Sequence, residues 1–151
     1  MSIDRYREVR EAADVDVVAL GYRTVRLIPL EELQEAQAGY GGGGWADNWL
    51  VIATEDELGD PIFADLGSSE LDVSMAMHGV GQWEPVRIAD SFAAFVAALR
   101  CVAAVADGRG NPVALEDNPL SESEAGSVLS EIRRQNPRSD MEFWESWVTA
   151  D

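Results

Sequence analysis

The chain reads Trp49-Leu50-Val51-Ile52-Ala53 at the end of its first third, and this apolar run decides the fold. Successive side chains of a strand point to opposite faces, which places Trp49, Val51 and Ala53 on one side. Leu50 and Ile52 fall on the other side. Because both sides are apolar, both must be covered, and the run predicts a central strand of a sheet flanked by helices.

Further extended segments lie on both sides of this strand in the sequence. Gly59-Asp60-Pro61 supplies turn residues, so segments 48–54 and 61–66 are predicted to pair as a hairpin. The other predicted strands are an edge strand at 25–28, a half-buried strand at 73–77 with alternating Val73, Met75 and Met77, and a strand at 84–88.

Helical patterns occupy most of the remaining chain. Helices are predicted over 3–14 and 30–37, and Asp90 or Ser91 should cap a long helix that continues to Ala106. An irregular segment is expected from there to Leu120. Two Ser-x-x-Glu capping boxes then predict helix starts, at residues 121–124 and 139–142.

These elements predict an α+β fold with a central antiparallel sheet of about four to six strands, flanked by helices, with C-terminal helices packed on it. A length of 151 residues suits one domain. We therefore expect residues 1–151 to form a single domain with a core at about 20–107 and a C-terminal helical extension at about 119–149.

The charge balance limits the class of partner. There are 28 Asp and Glu residues against 11 basic residues, all of them Arg, which gives a net charge of −17. Such a chain repels nucleic acid and anionic membrane surfaces and meets basic proteins faster. The alternative, that the acidity only keeps the protein soluble, stays open on the sequence.

The single cysteine and the N-terminal sequence bear on location. Cys101 cannot form an internal disulfide and lies on the predicted core helix, where it reads as a small hydrophobic residue. The first residues are charged, without the apolar segment of a secretory signal, and no apolar run approaches the ~20 residues of a membrane span. A cytoplasmic protein is expected.

The acidic segment between the hairpin strands is the first candidate site. Its carboxylates are Glu55, Asp56, Glu57 and Asp60. Their spacing does not match a calcium-binding loop, so no metal is expected, although a carboxylate- or metal-dependent hydrolase remains a remote alternative. Charges on one exposed turn are usually only hydrated; the functional interpretation is a contact surface for a basic partner.

The glycine run Gly41–Gly44 is the second candidate. It lacks a following Lys-Ser or Lys-Thr and precedes a strand, so it predicts a surface loop and no phosphate site. Tyr40 and Trp45 flank it, and Trp83 follows another glycine turn. These three aromatic residues are predicted as anchors of a protein interface, on the same face as the carboxylates of the acidic segment. The only histidine, His78, lacks metal-ligand or nucleophile neighbours and is expected at a strand end or turn.

The order of these motifs resembles the SUKH superfamily, the group named for the yeast Smi and Knr cell-wall-synthesis regulators. The matching pieces are Trp49–Ala53, Gly59-Asp60-Pro61-Ile62-Phe63 with Asp65, Val73–His78, the Ser-Phe-x-x-Phe helix start at 88–96, and, more weakly, the tail motifs Asn118-Pro119-Leu120 and Phe143-Trp144-Glu145. The Leu-Pro-x-x-(Tyr/Phe) segment of many members is absent.

The resemblance implies a SUKH-like α+β domain that binds proteins and has no catalytic residues or cofactor. Many bacterial members look like immunity proteins that neutralise secreted polymorphic toxins, often nucleases. We therefore expect a cytoplasmic immunity protein that occludes a basic toxin domain. A regulatory scaffold for a cellular partner is the alternative, and the oligomeric state stays open.

Overall fold

The computed structural model describes residues 3–78 and 81–149, apart from the side chain of His78. The elements, in chain order, are α1 (Ile3–Ala12), β1 (Val17–Leu20), β2 (Arg23–Leu27), a 3-10 turn (Leu30–Glu32) continuing into α2 (Leu33–Ala36), β3 (Trp49–Glu55), β4 (Ile62–Asp65), β5 (Val73–His78), β6 (Trp83–Ala89), α3 (Phe92–Ala106), α4 (Pro112–Asp117), α5 (Glu122–Gln135) and α6 (Glu142–Val148).

A six-stranded sheet forms the centre of the described chain, with the strands side by side in sequence order and every neighbouring pair antiparallel. This confirms the predicted α+β fold, and β3 is an inner strand as expected. The hairpin of β3 and β4 is also confirmed. The predicted edge position of 25–28 is wrong, because β1 pairs with β2 and forms that edge of the sheet.

A β-bulge in β3 changes the predicted faces of the central strand. Val51 pairs with Phe63 and Ala53 with Ile62, so Ile52 is the extra residue. Since Ile62 and Phe63 point to opposite faces, Ala53 lies on the face opposite Val51. The prediction that Trp49, Val51 and Ala53 share one face is therefore wrong for Ala53.

The buried core joins the sheet to the long helix α3 and the C-terminal helices. Ala98, Leu99 and Val102 of α3 are buried, as is Ile132 of α5. Trp144 of α6 is fully buried and donates its indole N–H to the carbonyl of Ile88 at 2.8 Å. The predicted packing of C-terminal helices on the sheet is confirmed.

The helix ends show which local signals determine the structure. Ser91 caps α3 through a bond from the N–H of Ala94, and Ser121 forms the predicted capping box of α5 with Glu124. The second predicted box is wrong: Met141 precedes α6 without a side-chain cap, and the Ser139 hydroxyl donates to Asp90 instead. Sequence analysis also missed α4, which Asn111 caps.

Candidate partner-binding groove

The acidic turn, residues 55–60, is organised by Glu55. Its carboxylate accepts hydrogen bonds from the backbone N–H groups of Glu57 (3.1 Å), Leu58 (2.8 Å) and Gly59 (2.8 Å). It also lies 3.4 Å from Nε of Arg23, and only 4% of the residue is exposed. The expectation that Glu55 is a solvent-exposed contact residue is wrong, because its charge is used to fold the turn.

The other carboxylates of the turn differ in surroundings. Asp56 is exposed and accepts the backbone N–H of Thr24 at 2.6 Å. Glu57 accepts a hydrogen bond from Nη2 of Arg23 at 2.7 Å. Asp60 is half-buried, and loss of hydration, with a smaller contribution from the charge of Glu55, raises the pKa of its carboxyl group.

Glu57 and Asp60 face a groove on the sheet, which we call the acid-rimmed groove. Its floor consists of Met75, Met77, Val86, Ile88 and Phe143, and its rim carboxylates are Glu57, Asp60, Asp140 and Glu142. The cavity has a volume of about 300 Å³. It therefore combines an apolar floor with negative charge on its sides.

Strand pairing explains how the floor arises. Met75 pairs with Val86 and Met77 pairs with Glu84, which puts Met75, Met77 and Val86 on one face of the β5–β6 hairpin. Burial decreases along the strand, since Val73 is fully buried whereas Met77 is 51% exposed. The half-buried pattern predicted from the alternation of Val73, Met75 and Met77 is thus wrong at Met77, where apolar surface is left open.

The start of α6 supplies the other side of the groove. The backbone N–H of Asp140 donates to the carbonyl of Arg87 at 2.9 Å and ties this segment to β6. The Asp140 carboxylate accepts the N–H of Glu142 at 2.8 Å. Two acidic residues are thereby held across the groove from the acidic turn.

Arg23 fills one end of the groove and is 3% exposed. Its guanidinium lies 4.7 Å from the ring centre of Phe143, donates to the Phe143 carbonyl at 2.8 Å and to Ser146 Oγ at 3.2 Å. Within residues 3–78 and 81–149, no arginine is within ion-pair distance of Asp60, Asp140 or Glu142. Among the described residues, the outer part of the groove is therefore negative and uncompensated.

The three predicted aromatic anchors lie together elsewhere. Trp45 stacks on Tyr40 with 5.1 Å between ring centres and contacts Trp83 at 5.3 Å. Trp45 also packs on Trp49 and Phe63, which completes what we call the aromatic cluster. All three predicted anchors are half-buried.

The aromatic cluster and the acid-rimmed groove occupy opposite faces of the sheet. Phe63 pairs with Ser74, and Ile62 pairs with Met75, so the cluster lies on the Ser74 face and the groove on the Met75 face. The glycine run is tied to the aromatic cluster through Gly43. This residue has φ +43°, and its carbonyl accepts the backbone N–H of Trp83 at 2.6 Å. The predicted single surface of carboxylates and aromatic anchors is not formed.

Two candidates of the sequence remain, His78 and Cys101. His78 ends β5, and its side chain lies outside the described residues. Cys101 is half-buried on α3, where burial first and the charge of Glu131 second raise the pKa of its thiol. No three His, Cys, Asp or Glu side chains of the described chain are grouped as metal ligands would be.

Half of the groove lining does not follow from the sequence. Asp140 and Glu142 were assigned to a helix cap, and Met77 to a partly covered strand. One signal could have indicated the groove floor. Met75 and Met77 alternate along the predicted strand 73–77, and no helix was predicted to cover both of these side chains. No local pattern links the acidic turn to the start of α6.

Comparison with known proteins gives no relative for this chain: no family model, curated protein or solved structure matches it. In the part that the structure describes, no helix is long and apolar enough to span a membrane. Any assignment of function therefore depends on the groove, the charge and the motifs of the sequence.

Proposed function

We propose that this chain is a non-catalytic binding protein that takes a basic protein domain on its acid-rimmed groove. In this proposal it is a cytoplasmic immunity protein of the SUKH type, which neutralises a basic toxin domain such as a nuclease by occlusion. The observation that carries the proposal is the groove itself, an apolar floor beside the uncompensated carboxylates of Asp60, Asp140 and Glu142.

The composition of this surface matches the general anatomy of a protein interface. Apolar side chains that lose water on contact supply the centre, and charged groups form the rim. Leu58 and Met77 are 64% and 51% exposed beside the groove, so a partner could cover them. Covering them would anchor the complex, while the rim would select a positive surface.

The mechanism follows from the sign of the charge. A net charge of −17 attracts a cationic domain over a distance set by the ionic strength and speeds their encounter. A nuclease binds its substrate through a positive cleft, because phosphate contacts dominate nucleic-acid affinity. A negative protein seated on that cleft would exclude the substrate, so that no chemistry by the inhibitor is needed.

A scaffold that binds cellular partners is the second candidate, and one observation favours it. The aromatic cluster lies on the face opposite the groove, which offers two separated surfaces on one small protein. An immunity protein needs one contact face, whereas a scaffold joins at least two partners. The interface roles predicted for Tyr40, Trp45 and Trp83 fit this second function.

The experiment is purification of the chain with the domain encoded by a neighbouring toxin-like gene, at low salt and micromolar concentration. A complex that inhibits the toxin is the expected result. The triple variant Asp60→Asn, Asp140→Asn, Glu142→Gln should weaken the complex by at least about tenfold, since each charged contact across an interface contributes measurably.

The matched control neutralises Glu8, Glu31 and Glu116 to Gln. These three carboxylates are exposed and make no ion pair within the described residues. Equal losses of affinity for the toxin domain in both triple variants would show that binding depends on the total charge and not on the position of the carboxylates at the groove. Absence of any complex would overturn the immunity function, and absence of a toxin-like neighbour would favour the scaffold.

A further inference from the structure

The inner end of the acid-rimmed groove already holds one guanidinium group. Arg23 donates to the carbonyl of Phe143, pairs with Glu57 at 2.7 Å and lies over the Phe143 ring. Its binding site thus has three parts: a carboxylate, a backbone or hydroxyl acceptor, and an apolar surface for the flat face and the stem. This is the combination that guanidinium groups favour in proteins.

The outer half of the groove repeats two of these parts without a cation. Asp60 stands on the side of the acidic turn, and Glu142 on the side of α6. Between them lie the apolar side chains of Met77 and Val86, which are 51% and 36% exposed. Methionine side chains adapt to the shape of what they contact, so this floor can accommodate a long aliphatic stem.

The size of the groove limits the occupant. A volume of about 300 Å³ is at the lower end of ligand pockets and suits one long side chain, not a packed helix. The charge excludes an acidic occupant and disfavours a neutral one, because carboxylates on two sides have no ion-pair partner among the described residues. A side chain with a long apolar stem and a positive head satisfies both requirements.

We propose that the outer half of the acid-rimmed groove is a binding site for a single arginine side chain of a basic partner protein. The stem lies on Met77 and Val86, and the guanidinium lies between Asp60 and the Asp140–Glu142 side. Arginine is favoured over lysine because its planar group has five N–H donors and is more weakly hydrated, so it can pair with carboxylates on both sides. This inference rests on the proposed function and names the chemistry that the groove recognises.

The state of Asp60 agrees with this assignment. Its carboxyl group has a raised pKa because it has lost hydration beside Glu55 without gaining a cation. A bound guanidinium would supply the missing positive charge and bring the pKa down again. A carboxylate that only keeps the protein soluble would be expected in full contact with water.

The test uses small probes and reads the groove directly. The four methionines of the chain include Met75 and Met77 on the groove floor and Met141, which does not line it. With ¹³C-methyl-methionine labelling, N-acetyl-arginine amide at millimolar concentration should shift the Met75 and Met77 methyl signals in a saturable way, and by more than the signal of Met141. N-acetyl-citrulline amide has the same shape without the charge and should bind at least about tenfold more weakly.

Variants then assign the site. Asp60→Asn with Glu142→Gln should abolish the saturable shift, whereas Glu8→Gln with Glu116→Gln, two exposed carboxylates outside the groove, should leave it within about twofold. The circular dichroism spectrum and thermal unfolding of both double variants establish that they are folded. N-acetyl-lysine amide should bind more weakly than the arginine probe.

Three outcomes would overturn the inference: no saturable shift with the arginine probe, equal binding of citrulline, or equal binding of lysine. These outcomes are distinguishable from failure of the proposed function. A toxin complex that forms while the probe does not bind the groove would leave the immunity function standing and remove only the arginine site. Probe binding at the groove without any toxin complex would support the arginine site and remove the immunity function.

Discussion

Arg23 and Glu55 are the pair of residues on which the acidic turn and the groove both depend. The Glu55 side chain is fully buried and bonds three backbone N–H groups of the turn. Arg23 joins Glu55 on one side to Glu57 and Phe143 on the other. A buried charge with several partners is costly to leave unpaired, so these contacts act as a unit.

Replacing Glu55 with Ala should therefore lower the free energy of unfolding by about 3 kcal/mol. The variant leaves the Arg23 guanidinium with one carboxylate fewer and three backbone N–H groups of the turn without their acceptor. Urea unfolding followed by tryptophan fluorescence measures the change. The control Asp56→Ala removes an exposed neighbour with one hydrogen bond and should cost less than about 1.5 kcal/mol. Equal losses at the two positions would contradict this assignment.

The role of Glu55 could not be predicted from its own segment. Glu55, Asp56 and Glu57 are consecutive acidic residues, and nothing local separates the buried one from the exposed ones. The difference comes from the register of β2 on β3, which pairs Val25 with Glu55 and brings Arg23 near. Sequence analysis identifies acidic residues of the turn, but the partner of each is set by strand pairing.

Among the elements, the two Ser-x-x-Glu segments show how far a local signal reaches. At 121–124 the capping box forms as predicted. At 139–142 the Ser139 hydroxyl donates to Asp90 at 2.6 Å, and Asp90 also accepts the backbone N–H of Arg138 at 3.2 Å. A tertiary contact with the segment before α3 therefore prevails over the local cap. The same contact fixes the start of α6 and with it one side of the groove.

Ser121→Ala should lower the free energy of unfolding by about 1 kcal/mol, the usual value of an N-cap hydroxyl. The substitution removes the acceptor of the Glu124 N–H at 3.0 Å. Ser123 lies two residues further along, inside α5; it is exposed and is the matched control. Chemical denaturation of Ser121→Ala and Ser123→Ala makes the comparison. Ser123→Ala should cost no stability, because alanine is the better helix former, and a loss there as large as that at Ser121 would show that the capping bond is not the cause.

Five of the six strands of the sheet were predicted from the sequence, and β1 was not. β3 and β4 follow from an apolar run, a turn signal and a second apolar run. β1 is as short as β4, but it has no flanking apolar run that would mark it as half of a hairpin, and it is followed at once by Gly21 and Tyr22. The bulge at Ile52 has no sequence marker such as glycine, because it depends on how β4 pairs.

At the scale of the whole molecule, the groove is made by three separate parts of the chain. The acidic turn, the β5–β6 hairpin and the start of α6 each contribute lining residues. Overall charge predicted the class of partner from composition, but the surface that presents the charge depends on tertiary packing. For the same reason the aromatic cluster, although its members were identified, was expected on the same surface as the carboxylates and lies on the opposite face.

The chain has 28 acidic and 11 basic residues. Because of this imbalance, added salt should have opposite effects on stability and on binding. Self-repulsion destabilises the compact state, so NaCl should raise the thermal midpoint. Binding of the arginine probe should weaken over the same range, because salt screens attraction between unlike charges. Calorimetry and methyl titration, respectively, measure the two effects.

The range of salt concentration over which the thermal midpoint rises identifies the cause of the rise. The Debye length falls from about 30 Å at 0.01 M to about 8 Å at 0.15 M, so most of the rise should occur below about 0.15 M. General salting-out would instead grow steadily at higher concentration. The variant with Glu8, Glu31 and Glu116 changed to Gln carries fewer repelling charges, so it should start from a higher midpoint at low salt and rise less. A midpoint that is flat or falls over this range would show that the acidic residues do not repel one another strongly enough to matter.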